Sequence, residues 1–147
     1  MSIDHLLADQ DTYEYMIDHS LKCSLLLKEM FQKAKTYPSA NMNSSLEQIQ
    51  LICLLIKIQQ AKKVIEIGVF RGITTLAMAQ CMPTDGKILA LEIDQSPLKD
   101  FTSYWQQAEV EEKIDLRIAP ALETLTHQLD QGQGESFDFA YIDADKE

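Results

Sequence analysis

Residues 63–79, KVIEIGVFRGITTLAMA, constrain the fold more than any other stretch. Val64, Ile65 and Ile67 form a short apolar run suited to a parallel strand covered on both faces. Gly68 and Gly72 then permit a tight turn and close approach by a ligand. Thr74 and Thr75 place hydroxyls near the start of a helix, which Leu76, Ala77, Met78 and Ala79 continue. Strand, glycine turn and helix in that order open a βαβ unit, and ligands of such sheets sit at the carboxyl ends of the strands.

Glu66 interrupts the apolar run just before the turn. A carboxylate at the end of a buried strand is costly unless it finds a partner. Dinucleotide folds use Gly-x-Gly-x-x-Gly, with pyrophosphate on a helix N-terminus. This chain has Glu-x-Gly-x-x-x-Gly, so the middle glycine is missing and an acid precedes the turn. That pattern disfavours an NAD-dependent oxidoreductase. It suits a positively charged ligand without phosphate, such as S-adenosylmethionine with its ammonium and sulfonium. The plain alternative is a βαβ turn with a solvated Glu66.

The 147 residues, 46% of them hydrophobic, suffice for one domain with a sizeable core. A formal net charge of −10 repels phosphate backbones and argues against a nucleic-acid partner. No apolar run is long enough to span a bilayer, so no membrane role is expected. The opening residues Met1 to His5 lack the basic and apolar regions of a secretory signal, and the expected location is cytoplasmic. Cys23, Cys53 and Cys81 lie far apart in helical stretches and read as reduced core residues rather than a disulfide or metal site. His5, His19 and His127 lack zinc-ligand spacing and read as structural or surface residues.

Residues 1–38 look helical, with a capping-box pattern at Asp11 to Glu14 and an apolar stripe through Tyr13, Met16, Ile17, Leu21 and Leu25. A second helix is possible over Leu26, Leu27, Met30 and Phe31. Ser44 to Glu47 has capping-box spacing and opens another helix. Residues 87–94 form the second strand, ending in Glu92. Residues 97–111 read as one helix with Ser96 as cap, and Trp105 packs on it. Residues 114–118 alternate as a third strand. A helix over 122–129 follows, and residues 137–142 form a fourth strand ending in Asp143, Ala144, Asp145 and Lys146.

Glu66, Glu92 and the Asp143/Asp145 pair thus meet at one edge of a parallel sheet. An acid ending the second strand commonly accepts from both ribose hydroxyls. Paired aspartates suit Mg²⁺, which keeps waters and substrate oxygens in its shell and lowers the pKa of a bound hydroxyl. Lys146 can act as base or steady developing charge.

Together these residues resemble the cation-dependent class I O-methyltransferases of the caffeoyl-CoA and catechol type. The likeness runs from about residue 6 to 147 and is strongest in EIGVFRG at 66–72, DGKILA at 85–90, PAL at 120–122 and YIDADK at 141–146. The family's usual Tyr-Ser pair after the second glycine is Ile73-Thr74 here, and its frequent Asp at the second strand end is Glu92. The resemblance implies that Ser44, Glu66, Gly68, Val69, Thr74, Glu92 and the backbone at Ala121 contact S-adenosylmethionine. It implies that Asp143 binds a divalent cation, Mg²⁺, beside the methyl acceptor with Asp145 close by, and that Lys146 serves as a base. It also implies a homodimer acting on a small hydroxylated aromatic acceptor. Family members continue past the position of Glu147 with further strands, an Asp-Asn pair that completes the cation site, and a loop over the acceptor. These parts are expected to be missing from this sequence.

The expected fold is therefore α/β and Rossmann-like: a mostly parallel sheet with helices on both faces. It forms a single methyltransferase domain of N-terminal helices (1–60) and cofactor-binding βα units (61–147). The expected function is S-adenosylmethionine-dependent methyl transfer to a hydroxyl of a catechol-like acceptor. A non-catalytic fragment that binds cofactor or a partner subunit is the alternative, ahead of the oxidoreductase.

Overall fold

The computed structural model describes residues 9–144. His5, Asp145 and Lys146 lie outside them. The elements, in order, are α1 (Gln10–Ser20), α2 (Leu25–Lys35), α3 (Leu46–Gln59), β1 (Lys63–Ile67), α4 (Ile73–Cys81), β2 (Lys87–Glu92), α5 (Ser103–Gln107), β3 (Ile114–Ile118), α6 (Ala121–Asp130) and β4 (Phe139–Ile142). The strands form one parallel sheet in the order β3-β2-β1-β4. Because β1 and β2 each have a neighbour on both sides, their ends define the centre of the carboxyl edge.

Alternation along β1 sorts the layers. Val64 and Glu66 face α4, while Ile65 and Ile67 face α6. On the α4 side, Val64, Ile88 and Ala90 pack with Met30, Ile49, Ile56, Leu76 and Met78, and Phe101 and Trp105 close the end of this core. The α6 side is thinner. Ile65, Leu89 and Leu91 are covered by Ala121, Leu125 and Phe137, while Leu122 and Leu129 of α6 and Ile142 of β4 stay exposed.

Several boundaries differ from the sequence reading. The N-terminal segment is two helices, each started by a side chain that accepts a backbone N–H. Asp9, rather than Asp11, caps α1 through Thr12 N at 2.8 Å. Ser24 caps α2 through Leu27 N at 3.1 Å. Ser45, rather than Ser44, caps α3. Glu47 does not reach back to the cap but accepts from Tyr13 Oη at 2.8 Å, tying α1 to α3. The single helix expected over 97–111 is instead a 3₁₀ turn at Ser96–Leu98, the short α5 and a second 3₁₀ turn at Glu111–Lys113. Its apolar residues do not share one stripe: Leu98, Phe101, Trp105 and Val110 all reach the same core, and the backbone bends to bring them there. A positive φ at Glu109 (55°) ends the run.

Candidate active site

The site is built on the turn between β1 and α4. Three of its residues have positive φ: Gly68 (93°), Phe70 (53°) and Gly72 (73°). Gly68 is required twice over. Its φ suits glycine, and a Cβ there would lie 2.7 Å from the Asp143 carbonyl and the Ala144 nitrogen, where β4 ends. The absence of a side chain lets β4 deliver Asp143 beside the turn, where Asp143 N donates to Ile67 O at 2.8 Å. Gly72 caps α4, and its carbonyl accepts from Trp105 Nε1 at 3.0 Å. A Cβ on Gly72 would run into that indole.

Phe70 has a side chain in the left-handed region, which costs about 1 kcal/mol or more. Glu92 offsets this. Its Oε2 accepts from Val69 N at 2.9 Å and Phe70 N at 2.7 Å. Its Oε1 accepts from Ile93 N at 2.8 Å and Asp94 N at 3.1 Å. One carboxylate at the end of β2 thus gathers four backbone N–H groups and fixes both the glycine turn and the chain leaving β2.

Glu66 is fully buried behind this turn. Thr75 Oγ1 donates to its Oε2 at 2.6 Å, and its Oε1 has no partner. Burial raises its pKa to about 8, against the lowering effect of the Thr75 hydrogen bond; the negative charges of Glu92 and Asp143 add to the rise.

At the β4 end, Tyr141 Oη donates to Asp143 Oδ2 at 2.8 Å and lies 3.0 Å from Ser44 Oγ. Ser44 Oγ is 3.3 Å from the same carboxylate oxygen, and Gln48 Nε2 donates to Tyr141 Oη at 3.1 Å. Because Ser45 does the capping, Ser44 is free to make these contacts. The start of α3 is thereby bound to the end of β4.

These parts enclose one cleft of about 540 Å³. Ser44, Gly68, Val69, Thr74, Glu92, Ala121 and Asp143 all line it. Glu66 does not; it lies beneath the floor. The sequence reading also missed part of the lining, including Asn43, Phe70, Arg71, Asp94 and Tyr141. Arg71 is the most consequential of these. It is 5% exposed and stacks on Phe70, with its guanidinium carbon 4.2 Å from the ring centre. It donates to Asn43 Oδ1 at 3.2 Å, to Ser39 O and to Pro38 O. Burial lowers its pKa, and its Nε is without a partner. One fork thus ties the loop before α3 to the glycine turn. A charged residue wedged between Phe70 and Gly72 was the available signal.

Residues 17–147 match the O-methyltransferase family model. The chain belongs to the O-methyltransferase family. It is 37% identical over 139 residues to catechol O-methyltransferase domain-containing protein 1 of Mus musculus, covering 95% of this chain and 53% of the relative. It is 36% identical over 144 residues to a caffeoyl-CoA O-methyltransferase of Eucalyptus gunnii, covering 97% of this chain and 58% of the relative. The chain therefore spans little more than half the length of these curated relatives. Among solved structures, the O-methyltransferase TomG of Streptomyces achromogenes, involved in tomaymycin synthesis and in complex with SAM, superposes with a TM-score of 0.81. That likeness has 26% identity and covers 92% of this chain and 60% of that one. The O-methyltransferase of Bacillus cereus in complex with SAH gives 0.79 at 27% identity, covering 92% and 61%. The α/β, Rossmann-like methyltransferase fold read from the sequence is the fold of this O-methyltransferase family member.

Proposed function

We propose that the chain forms the cofactor-binding part of an S-adenosylmethionine-dependent O-methyltransferase that methylates a hydroxyl of a small, catechol-like acceptor with the help of Mg²⁺. The observation that carries this reading is the cleft itself. It gathers the ends of β1, β2 and β4 with Ser44 and Ala121, and Glu66 stands behind it with one oxygen unpartnered. An unpaired buried carboxyl oxygen beneath a glycine turn suits a cationic ligand.

The donor set fits S-adenosylmethionine well. Gly68 and Val69 let the ligand lie against backbone. Glu92 at the end of β2 is the proposed ribose acceptor; four backbone N–H groups already fill its lone-pair sites, so a ribose hydroxyl must take the place of one of them, and Glu92 acts on the ligand chiefly by fixing the turn. The fit for Mg²⁺ rests on one exposed carboxylate, Asp143. Among the described residues no three His, Cys, Asp or Glu side chains gather as a metal site. A single protein carboxylate is compatible with an ion that keeps waters and substrate oxygens.

Bound S-adenosylmethionine supplies an electrophilic methyl group for in-line transfer, and a bound divalent cation favours the oxyanion form of the acceptor. The chain's own residues supply position and charge. Tyr141 and Ser44 hold the Asp143 carboxylate at the mouth of the cleft. Gly68 and Glu92 fix the floor on which the methyl donor rests. The family resemblance assigns Asp145 to the acceptor side and Lys146 to taking the acceptor's proton; both lie outside the described residues. Most of the rate gain then comes from orientation and electrostatic stabilisation. In this reading the active form is a cytoplasmic homodimer.

The test is methyl transfer to catechol with Mg²⁺ present, repeated with EDTA and with Asp143→Ala. Transfer that both treatments abolish supports the reading; turnover unchanged in EDTA contradicts its cation step. Because the chain spans little more than half of its relatives, a second reading is a fragment that binds cofactor without turnover. Saturable cofactor binding with no transfer to any catechol would support that one.

A further inference from the structure

Residues 36–45 connect α2 to α3 and supply Met42, Asn43 and Ser44 to the wall of the cleft. This stretch has no core of its own. No residue from 38 to 45 is buried, and its one regular piece is a 3₁₀ turn at Ala40–Met42. Ser39, which opens that turn, has a φ of 57°, in the left-handed region. We propose that Arg71 is a positioning residue for the cleft: its guanidinium holds residues 38–43 against the glycine turn, and the affinity for an S-adenosyl ligand depends on that hold. The second clause rests on the assignment of the cleft as a cofactor site.

Three observations carry this. First, one side chain serves three acceptors in one short segment. Arg71 Nη1 donates to Asn43 Oδ1 at 3.2 Å and to Ser39 O at 3.4 Å, and Nη2 donates to Pro38 O. Asn43 passes the hold on, since its Nδ2 donates to Ala40 O at 2.8 Å. The ends of the segment are tied elsewhere: Tyr37 Oη donates to Asp100 Oδ2 at 2.9 Å, and Ser44 Oγ lies 3.0 Å from Tyr141 Oη. Arg71 supplies the middle. Second, the guanidinium is itself fixed. Its carbon lies 4.2 Å from the centre of the Phe70 ring, 5.7 Å from that of Tyr37 and 5.9 Å from that of Phe101. Phe70 N in turn donates to Glu92 Oε2 at 2.7 Å. The wall is thus tied, through Arg71 and Phe70, to the carboxylate that fixes the turn.

Third, Arg71 is costly where it stands. It is buried, no carboxylate pairs with it among the described residues, and its Nε has no partner. A buried cation held by neutral oxygens and ring faces is a poor way to stabilise a core, and an apolar side chain would fill the space at less cost. What the guanidinium adds is a planar fork that reaches several oxygens at once. The point charge of a lysine does not reproduce that.

The experiment compares the parent chain with Arg71→Lys and Asn43→Ala, by amide hydrogen exchange read by mass spectrometry and by calorimetric titration of S-adenosylhomocysteine. In Arg71→Lys, exchange across residues 38–45 should rise about tenfold while β1, α4 and β2 keep the parent's rates, and the dissociation constant for S-adenosylhomocysteine should rise about tenfold. Asn43→Ala leaves Arg71 and its ring contacts in place. It should move both readouts in the same direction by a smaller factor, and it decides the matter if Arg71→Lys does not fold. Unchanged exchange at 38–45 overturns the proposal. Exchange that rises throughout the sheet as well would make Arg71 a general core residue and overturn it equally. Faster exchange at 38–45 with affinity within about twofold of the parent's overturns the positioning role. A parent chain that binds no S-adenosylhomocysteine contradicts the cofactor assignment instead, and exchange alone then judges the hold.

Discussion

Thr75 Oγ1 donates to Glu66 Oε2 at 2.6 Å, and the second oxygen of that buried carboxyl has no partner. A buried acid in this state prefers its proton, and its pKa of about 8 lies well above the ordinary 4.5. The native state therefore binds more protons than the unfolded state between those two values. By linkage, stability is fully present below about pH 4.5 and is lost as pH rises towards 8. Glu66→Gln removes the titration and keeps the shape. It should match the parent at pH 5 to within about 1 kcal/mol and exceed it by a few kcal/mol at pH 8. Urea unfolding at the two pH values checks this; parallel losses in both proteins would remove the protonated buried acid from the account.

The same carboxyl links proton and ligand. A cationic ligand over the turn favours the charged form of Glu66. Binding of S-adenosylmethionine at pH 7 should therefore release a fraction of a proton, up to about one. Calorimetry in buffers of different ionisation enthalpy measures it, and Glu66→Gln should abolish the buffer dependence. A buffer dependence retained in that variant would assign the proton elsewhere.

Gly68 stands against the backbone where β4 ends, so Gly68→Ala adds both a steric and a conformational penalty. A loss of about 2–4 kcal/mol of stability is expected. Thermal unfolding measures it; a midpoint within a degree of the parent would mean that β4 does not press on this turn.

Glu92 holds four backbone N–H groups. Glu92→Gln keeps one accepting oxygen and turns a donor towards amides, so two hydrogen bonds are lost at once. Stability should fall by about 2–3 kcal/mol, and cofactor affinity should fall at least tenfold. Urea titration and calorimetry on one sample report both. Unchanged affinity in a destabilised variant would leave Glu92 a structural residue only.

Tyr141 positions Asp143 through a 2.8 Å hydrogen bond. Tyr141→Phe should leave cofactor affinity within about twofold while raising the Mg²⁺ concentration for half-maximal transfer by about tenfold. The catechol assay across a Mg²⁺ series reads this; an unchanged Mg²⁺ requirement would separate the tyrosine from cation binding.

The sheet was legible because its information is local. Val64, Ile65 and Ile67 are apolar on both sides, and two glycines and an acid mark where β1 ends. The arrival of Glu92 and Asp143 at one edge of the sheet followed from strand direction alone; of the acids expected with them, Glu66 does not line the cleft and Asp145 lies outside the described residues. What escaped was information held in long-range contacts. Ser44 looked like a cap because its neighbour at 47 is Glu, yet Glu47 is taken by Tyr13 and Ser45 caps α3. Residues 97–111 looked helical by propensity, but the core draws Phe101 and Trp105 inward and breaks the helix. Glu66 was expected to reach the ligand site and does not line the cleft, since even-numbered residues of β1 face α4. Arg71 gave no periodic signal because its partners are carbonyls in the loop before α3.

The most direct test is calorimetric titration of S-adenosylmethionine and S-adenosylhomocysteine into the chain, with and without Mg²⁺. Saturable one-to-one binding of both is predicted, since Gly68, Glu92 and the turn they shape lie wholly within the described residues. A folded sample that binds neither would contradict the assignment of the cleft at the carboxyl edge of the sheet as a cofactor site.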